Sequence, residues 1–211
     1  MTTNEHFFEL PTCSILNTFL AERIEHPENA EAIDKKIIET FEKTVAIFVL
    51  DMSGFSRLVQ RYGIIHYLAM IQRMRQVVGP AVEKAGGHVV KFEADNCFAV
   101  FPHPNHAIEA TKQIYHDLKI VNDVTPDESD VHVSIGIGYG PILLGCDDMF
   151  GNEMNLASKL GEDVAEKDEV LLTEEAKKAC TLDVVTTEIP LTVSGVNMKS
   201  YRLETSEPTT V

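Results

Sequence analysis

The chain has 211 residues, of which 44% are apolar and 24% charged, and it carries a net charge of −15. That length is enough to bury a real core, and the balance is that of one soluble globular domain with an appendage. The acidity argues against nonspecific binding to nucleic acid or to an anionic membrane surface, and no apolar run is long enough to span a bilayer.

Met1-Thr-Thr-Asn-Glu lacks the basic start and apolar core of a signal peptide, so a cytoplasmic protein is expected. Residues 1–10 read as loose, with Phe7, Phe8 and Leu10 able to dock on a surface. From Ser14, apolar residues Ile15, Leu16, Phe19, Leu20 and Ile24 recur at helical spacing up to His26-Pro27. A second helix is expected over Ala30 to Lys43, with Ile33, Ile37, Ile38 and Phe41 on one face. Residues 1–44 thus form an N-terminal helical extension, read as a cap on the domain or on a dimer seam. The main domain is expected over 45–204, and 205–211 read as a flexible polar tail.

Val45 to Leu50 is an apolar strand that runs straight into Asp51-Met-Ser-Gly54-Phe-Ser56. A short helix follows from about Gly54 and breaks at Tyr62-Gly63. A longer one is expected over Ile64 to Lys84, with Ile65, Leu68, Ile71, Met74 and Val78 as its apolar stripe and Pro80 as a kink. Gly86-Gly87 ends it, and His88 begins a strand that leads through Lys91 to a hairpin turn at Asp95. Asn105 is the expected cap of a helix that reaches about Val121, and an acidic loop covers Asp123 to Asp130.

Val131 to Gly140 alternates as a strand, and Pro141 to Gly145 reads as the next. Gly136, Gly138 and Gly140 do not make a dinucleotide site, because a strand and not a helix follows them. They suit close backbone packing. Helices are expected over Asn152 to Leu160 and Glu174 to Cys180, with strands at Val170 to Thr173, Asp183 to Thr187 and Lys199 to Leu203. The alternation gives an α/β class, an α+β sandwich around a mixed sheet. Cys13, Cys97, Cys146 and Cys180 form no CxxC pair, and Cys97 and Cys146 fall in apolar runs, so both are expected as buried free thiols. His103 and His106 lack a third ligand in register, so zinc is not expected.

Two carboxylates, Asp51 and Asp95, should converge at one end of the sheet. With nearby backbone oxygens they suit Mg²⁺ shared with substrate phosphates. Taken singly, each is equally a helix start or a turn residue. Lys91 is notable in an otherwise apolar strand, and Asn155 and Lys159, four apart on a helix, share one face.

Three segments resemble a known family. Asp51-Met-Ser-Gly-Phe-Ser resembles the Asp-x-x-Gly-Phe-[Ser/Thr] signature of the class III nucleotidyl cyclases. Lys91-Phe-Glu-Ala-Asp95 resembles their Lys-x-x-Gly-Asp turn. Phe150-Gly-Asn-Glu-Met-Asn155-Leu-Ala-Ser-Lys159 resembles their Trp-Gly-x-x-Val-Asn-x-Ala-Ser-Arg segment. The motifs occur in the family's order across roughly Val45 to Leu203.

The resemblance implies a ferredoxin-like βαββαβ core with extra strands and a catalytic homodimer whose sites lie at the interface. It implies two Mg²⁺ or Mn²⁺ ions per site, held by Asp51, Asp95 and the carbonyl of Met52, with the amides near Gly54, Phe55 and Ser56 on phosphate. In relatives that use ATP, residues matching Lys91 and Asp148 read the adenine. Asn155 would orient the ribose and Lys159 would offset charge at the α-phosphate. The expected function is an adenylyl cyclase that converts ATP to 3′,5′-cyclic AMP and pyrophosphate. A cyclase for GTP or a pyrimidine nucleotide stays open, as does a cyclase-homology module that binds nucleotide without useful turnover. Three departures bear on this: Lys159 stands where the family has Arg, the segment between Gly140 and Phe150 that carries Asp148 is shorter than the hairpin the family usually has there, and Ser194-Gly195 stands where many members have Lys-Gly. Lys199, Arg57 and Arg61 are candidates for the missing cation.

Overall fold

The computed structural model describes residues 10–193 and 196–204. Helix α1 (Cys13–Glu25) and helix α2 (Ala30–Phe41) come first, joined by a short 3₁₀ turn, Pro27–Asn29. Strand β1 (Glu42–Met52) follows without a connecting residue, so Lys43, expected in the helix, lies in the strand. Next come α3 (Phe55–Tyr62), α4 (Ile64–Lys84), β2 (His88–Glu93), β3 (Asn96–Phe101) and α5 (Pro104–Asn122). The chain then forms β4 (Val133–Leu144), β5 (Met149–Phe150), α6 (Asn152–Ser158), a π-helical turn (Lys159–Val164) and β6 (Val170–Thr173). Helix α7 (Glu174–Ala179), β7 (Thr186–Val193) and β8 (Val196–Leu203) complete it.

The strands form one sheet in the order β2-β3-β1-β4-β6-β8-β7, with β5 paired to β4. Each neighbouring pair among the first four is antiparallel, and with α4 and α5 as crossovers they make the expected βαββαβ core. β6 joins β4 in parallel, and β8 and β7 extend that edge antiparallel.

Val45 to Leu50 is wholly buried, as a central strand covered on both faces must be. Alternate residues serve opposite layers. Ala46, Phe48, Leu50 and Met52 pack with α4 and α5, while Val45, Ile47 and Val49 pack with Ala157 of α6 and with Leu10. Leu10 docks as expected, whereas Phe7 and Phe8 lie outside the described residues, as do Ser194-Gly195 and the tail. A separate cluster of Leu16, Ile33, Ile37 and Phe41 joins α1 to α2 and takes in Leu143 of β4.

Several expectations need correction. The apolar stripe of α4 is rotated: Ile65 and Leu68 are exposed, and the buried face is Tyr67, Met70, Ile71, Met74, Val78, Ala81 and Val82. The helix continues through Pro80 and ends in a Schellman motif, with Gly86 in the left-handed region (φ 78°) and the Gly87 amide donating to the Val82 carbonyl at 2.9 Å. The cap of α5 is His103, whose ring Nδ1 accepts from the Asn105 amide, and Pro104 takes the first helical position. The Asn105 side chain instead bonds Thr181.

Gly140 and Pro141 make no break either: Val133 to Leu144 is one strand, paired with β1 from Val133 to Leu143. Its glycines admit α6. A Cβ on Gly136 would stand 2.1 Å from the Ala157 carbonyl oxygen, so only glycine lets the helix lie this close to the sheet. Cys97 is buried as expected, but Cys146 is exposed, because the strand ends two residues earlier and the chain turns outward.

Candidate active site

Asp51 is the penultimate residue of β1, where the strand leaves the core. Met52 buries its side chain among the α4 residues, which leaves its backbone at the strand end. The turn depends on Gly54, whose φ of 96° lies where a side chain would be strained. α3 begins at the next residue, so the amides of Phe55 and Ser56 belong to its first turn, where backbone N–H groups have no helical partner and attract anions.

Asp95 sits in the two-residue turn between β2 and β3. Ala94 before it has φ 49°, a left-handed conformation, at the position where the resembling motif carries glycine. The Arg75 guanidinium donates to the Ala94 carbonyl at 2.8 Å and fixes the turn. Asp95 Oδ2 accepts from the hydroxyl of Tyr67, at 2.7 Å. Tyr67 is itself fully buried and meets the exposed Phe55 ring edge-on at 4.9 Å.

The two carboxylates do converge. Burial first, then the charges of Asp95, Glu162 and Asp163, push the Asp51 carboxyl up to about 7. Glu162 is raised as well, by burial first, against the opposing effect of a 2.8 Å hydrogen bond from Asn96. Among the described residues, no three His, Cys, Asp or Glu side chains stand close enough to cage a metal unaided. Two aspartates and the Met52 carbonyl still fit Mg²⁺ or Mn²⁺, since Mg²⁺ commonly takes one or two carboxylates and completes its shell with phosphate and water. A buried carboxylate raised by its acidic neighbours is also a group that a divalent cation relieves.

Lys91 lies on β2, two residues before the strand ends at Glu93. The pairing of β2 with β3 slips between Val89 and Lys91, so Val90 is an extra residue and Lys91 is re-aimed. Its ammonium stands 3.2 Å from Asp148, 2.9 Å from Glu93 and 5.0 Å from the centre of the Phe98 ring. Burial pulls its pKa down, but Glu93 and Asp148 more than offset this and the net shift is upward. Asp148 is held in the turn between β4 and β5: its carbonyl accepts from Gly145 and its carboxylate from the Met149 amide, both at 2.9 Å.

Asn155 is exposed on α6. The expected helix over Asn152 to Leu160 is α only as far as Ser158, and Lys159 opens the π turn. The Lys159 ammonium is bound by Asp163, four residues on, at 2.6 Å. Asp163 and Glu162 were not singled out in the sequence. The Lys159-x-x-x-Asp163 spacing signals a helical ion pair but not the nearness of either acid to Asp51.

The chain matches the model of the adenylate and guanylate cyclase catalytic domain over residues 38–205. An adenylate cyclase from Streptomyces coelicolor is 27% identical over 134 residues, 64% of this chain and 33% of that protein. This chain spans about a fifth to a third of the length of the curated relatives it matches. In fold it is similar to the adenylyl cyclase CyaB from P. aeruginosa, with a TM-score of 0.66 and 20% identity over 79% of this chain and 96% of that one. It is as similar to the guanylyl cyclase Cya2, with a TM-score of 0.68 and 14% identity over 81% and 96%. The motifs, the strand order and the family match agree: the chain belongs to the adenylate and guanylate cyclase catalytic domain family.

Proposed function

We propose that the protein is an adenylyl cyclase that forms 3′,5′-cyclic AMP and pyrophosphate from ATP. The observation that carries the choice of base is the Lys91–Asp148 pair at 3.2 Å. A donor and an acceptor side by side match the edge of adenine, whose hydrogen-bonding pattern is the reverse of guanine's. The adenylate cyclase from Streptomyces coelicolor supports the same reading.

Asp51 and Asp95, with help from the Met52 carbonyl, would hold two divalent cations. Such ions would supply Lewis-acid stabilisation of the charge that develops on the nucleotide's reacting oxygens. The amides of Phe55 and Ser56, freed by the turn at Gly54, receive phosphate oxygens. Asn155 orients the ribose, and Lys159 neutralises charge at the α-phosphorus as the 3′-oxygen attacks in line. Lys159 has first to leave Asp163. As an ammonium it gives a point charge where a guanidinium would give a planar fork. Metal-binding and base-reading groups come from different chains of a head-to-tail homodimer, so a single chain carries one copy of each set and two copies build two equivalent sites. None of the described helices is long and apolar enough to cross a membrane.

The test is turnover of ATP, GTP, CTP and UTP with Mn²⁺, with Asp51→Ala as the blank. Cyclic AMP from the wild type alone supports the proposal. Product from another nucleotide keeps the metal chemistry and overturns the assignment of Lys91 and Asp148. A second reading, a nucleotide-binding domain without useful turnover, is favoured by the Lys159–Asp163 ion pair. No product from any of the four nucleotides in a confirmed dimer would establish it.

A further inference from the structure

Outside that site, the start of α1 and the turn after β4 bring two thiols onto one carboxylate. The Cys146 amide donates to the Pro11 carbonyl at 3.0 Å, which lays residues 11–13 alongside the turn that carries Asp148. The Cys13 sulfur rests on Gly145, where a Cβ would stand only 2.7 Å from it, so the glycine leaves the thiol its place. Consecutive Cα atoms are about 3.8 Å apart, so this sulfur is one residue's step from the Cys146 backbone. Cys146 Sγ donates to Asp147 Oδ1 at 3.5 Å, and the Cys13 thiol hydrogen-bonds the same carboxylate. Both cysteines are free; Cys146 is exposed and Cys13 half-buried.

We propose that Cys13 and Cys146 are an oxidative modification site, a reversible disulfide that latches the start of α1 to the β4–β5 turn. The oxidant is a low-molecular-weight disulfide. Exposed Cys146 attacks as thiolate; the small disulfide's S–S bond breaks, one small thiol leaves with a proton, and a mixed disulfide remains on Cys146. Cys13 then gives up its proton to solvent through Asp147 and attacks the Cys146 sulfur. The protein S–S bond forms and the second small thiol leaves. The two cysteines lose two electrons and two protons in all, and one small disulfide becomes two thiols. The order of attack agrees with the thiols' settings: the hydrogen bond to Asp147, and then burial, push Cys13 up to about 11, so Cys13 is not the first to attack, and its adjacency to Cys146 is what lets it resolve the mixed disulfide.

The bond would stand two residues from Asp148, in a turn already closed by the Gly145 to Asp148 hydrogen bond. It stiffens the support of the Lys91–Asp148 pair, and, if the cyclase reading holds, the oxidised protein opens that pair less readily to a nucleotide base.

The test treats the full chain with oxidised glutathione, blocks remaining thiols by alkylation and maps the digest by mass spectrometry before and after dithiothreitol. The expected result is a peptide pair joined through Cys13 and Cys146, from a protein of undoubled mass, lost on reduction. It should persist in Cys97→Ser and Cys180→Ser, while Cys13→Ser should instead accumulate the glutathione adduct on Cys146. Separately alkylated or glutathionylated Cys13 and Cys146 with no joined pair, or linkage between two copies, overturns the site. The effect on base reading is read apart from it, as the KM for nucleotide with Mn²⁺. A rise of about fivefold on oxidation, the low end of ordinary coupling between sites, that is absent in Cys146→Ser supports the latch. An unchanged KM in the cross-linked protein overturns the coupling to Asp148. A joined peptide in a chain that turns over no nucleotide counts against the cyclase reading alone.

Discussion

Around Asp51, carboxylate faces carboxylate: burial first, and then the charges of Asp95, Glu162 and Asp163, raise Asp51. Around Lys91, one cation stands between two carboxylates, Glu93 and Asp148, and its charge is answered from within the chain. The first arrangement is costly until cations arrive from outside. The second is satisfied at rest and has to be opened before it can hold a base. Two halves of one proposed site therefore differ in what binding must do, adding charge in one and exchanging partners in the other.

The largest effect that would break this comparison is loss of a metal-binding carboxylate. Asp95→Ala should lower kcat by about a thousandfold or more in steady-state assays, since the several kcal/mol a metal contributes would go with it. Lys91→Ala should lower kcat/KM for ATP by roughly 10–100-fold, the value of a charge-assisted hydrogen bond, and should leave Mn²⁺ affinity unchanged. A matching loss of Mn²⁺ affinity would mean that the two halves of the site are not separate. Tyr67→Phe sharpens the contrast at the acidic end. It deletes the 2.7 Å hydrogen bond that orients Asp95 and should weaken Mn²⁺ binding about tenfold, measured by calorimetry without nucleotide.

The smallest expected effect is on stability. Folding raises the Asp51 carboxyl from 3.8 to about 7, so its protonated form is favoured in the folded state. That contribution is present at acid pH and is lost as pH rises through about 7. Asp51→Asn, without metal, should therefore raise the melting temperature above that pH and leave it unchanged in acid. Solvent screening of a partly exposed group holds the gain to about 1 kcal/mol, or about 2–4 °C for a chain of this size.

The core helices and strands were legible because their signals are local. Ile64–Lys84 and Val170–Thr173 end where their glycine, threonine and apolar boundaries say they should. The stripe of α4 was misjudged because apolar residues fall on more than one of its faces: Ile65 and Leu68 read as core but are exposed, as Phe55 and Tyr62 are. The break at Gly140-Pro141 did not occur, since pairing with β1 continues through a proline that needs no ladder donor there. Asp51, Asp95, Lys91 and Asp148 could be picked out by motif. Tyr67, Glu162 and Asp163 could not, because their relation to Asp51 and Asp95 depends on which helix faces lie over which strand ends. The β-bulge before Lys91 leaves no mark in composition at all.

The junction of α2 with β1 has a mechanical side. Phe41 ends the helix and Glu42 begins the strand, with no loop residue between them to act as a joint. β1 then runs through the middle of the sheet to Asp51, about 30 Å away at the rise of an extended chain. A pull or twist applied to the N-terminal helices thus meets a stiff shaft and not a slack tether. Its far end is the carboxylate on which the proposed chemistry turns.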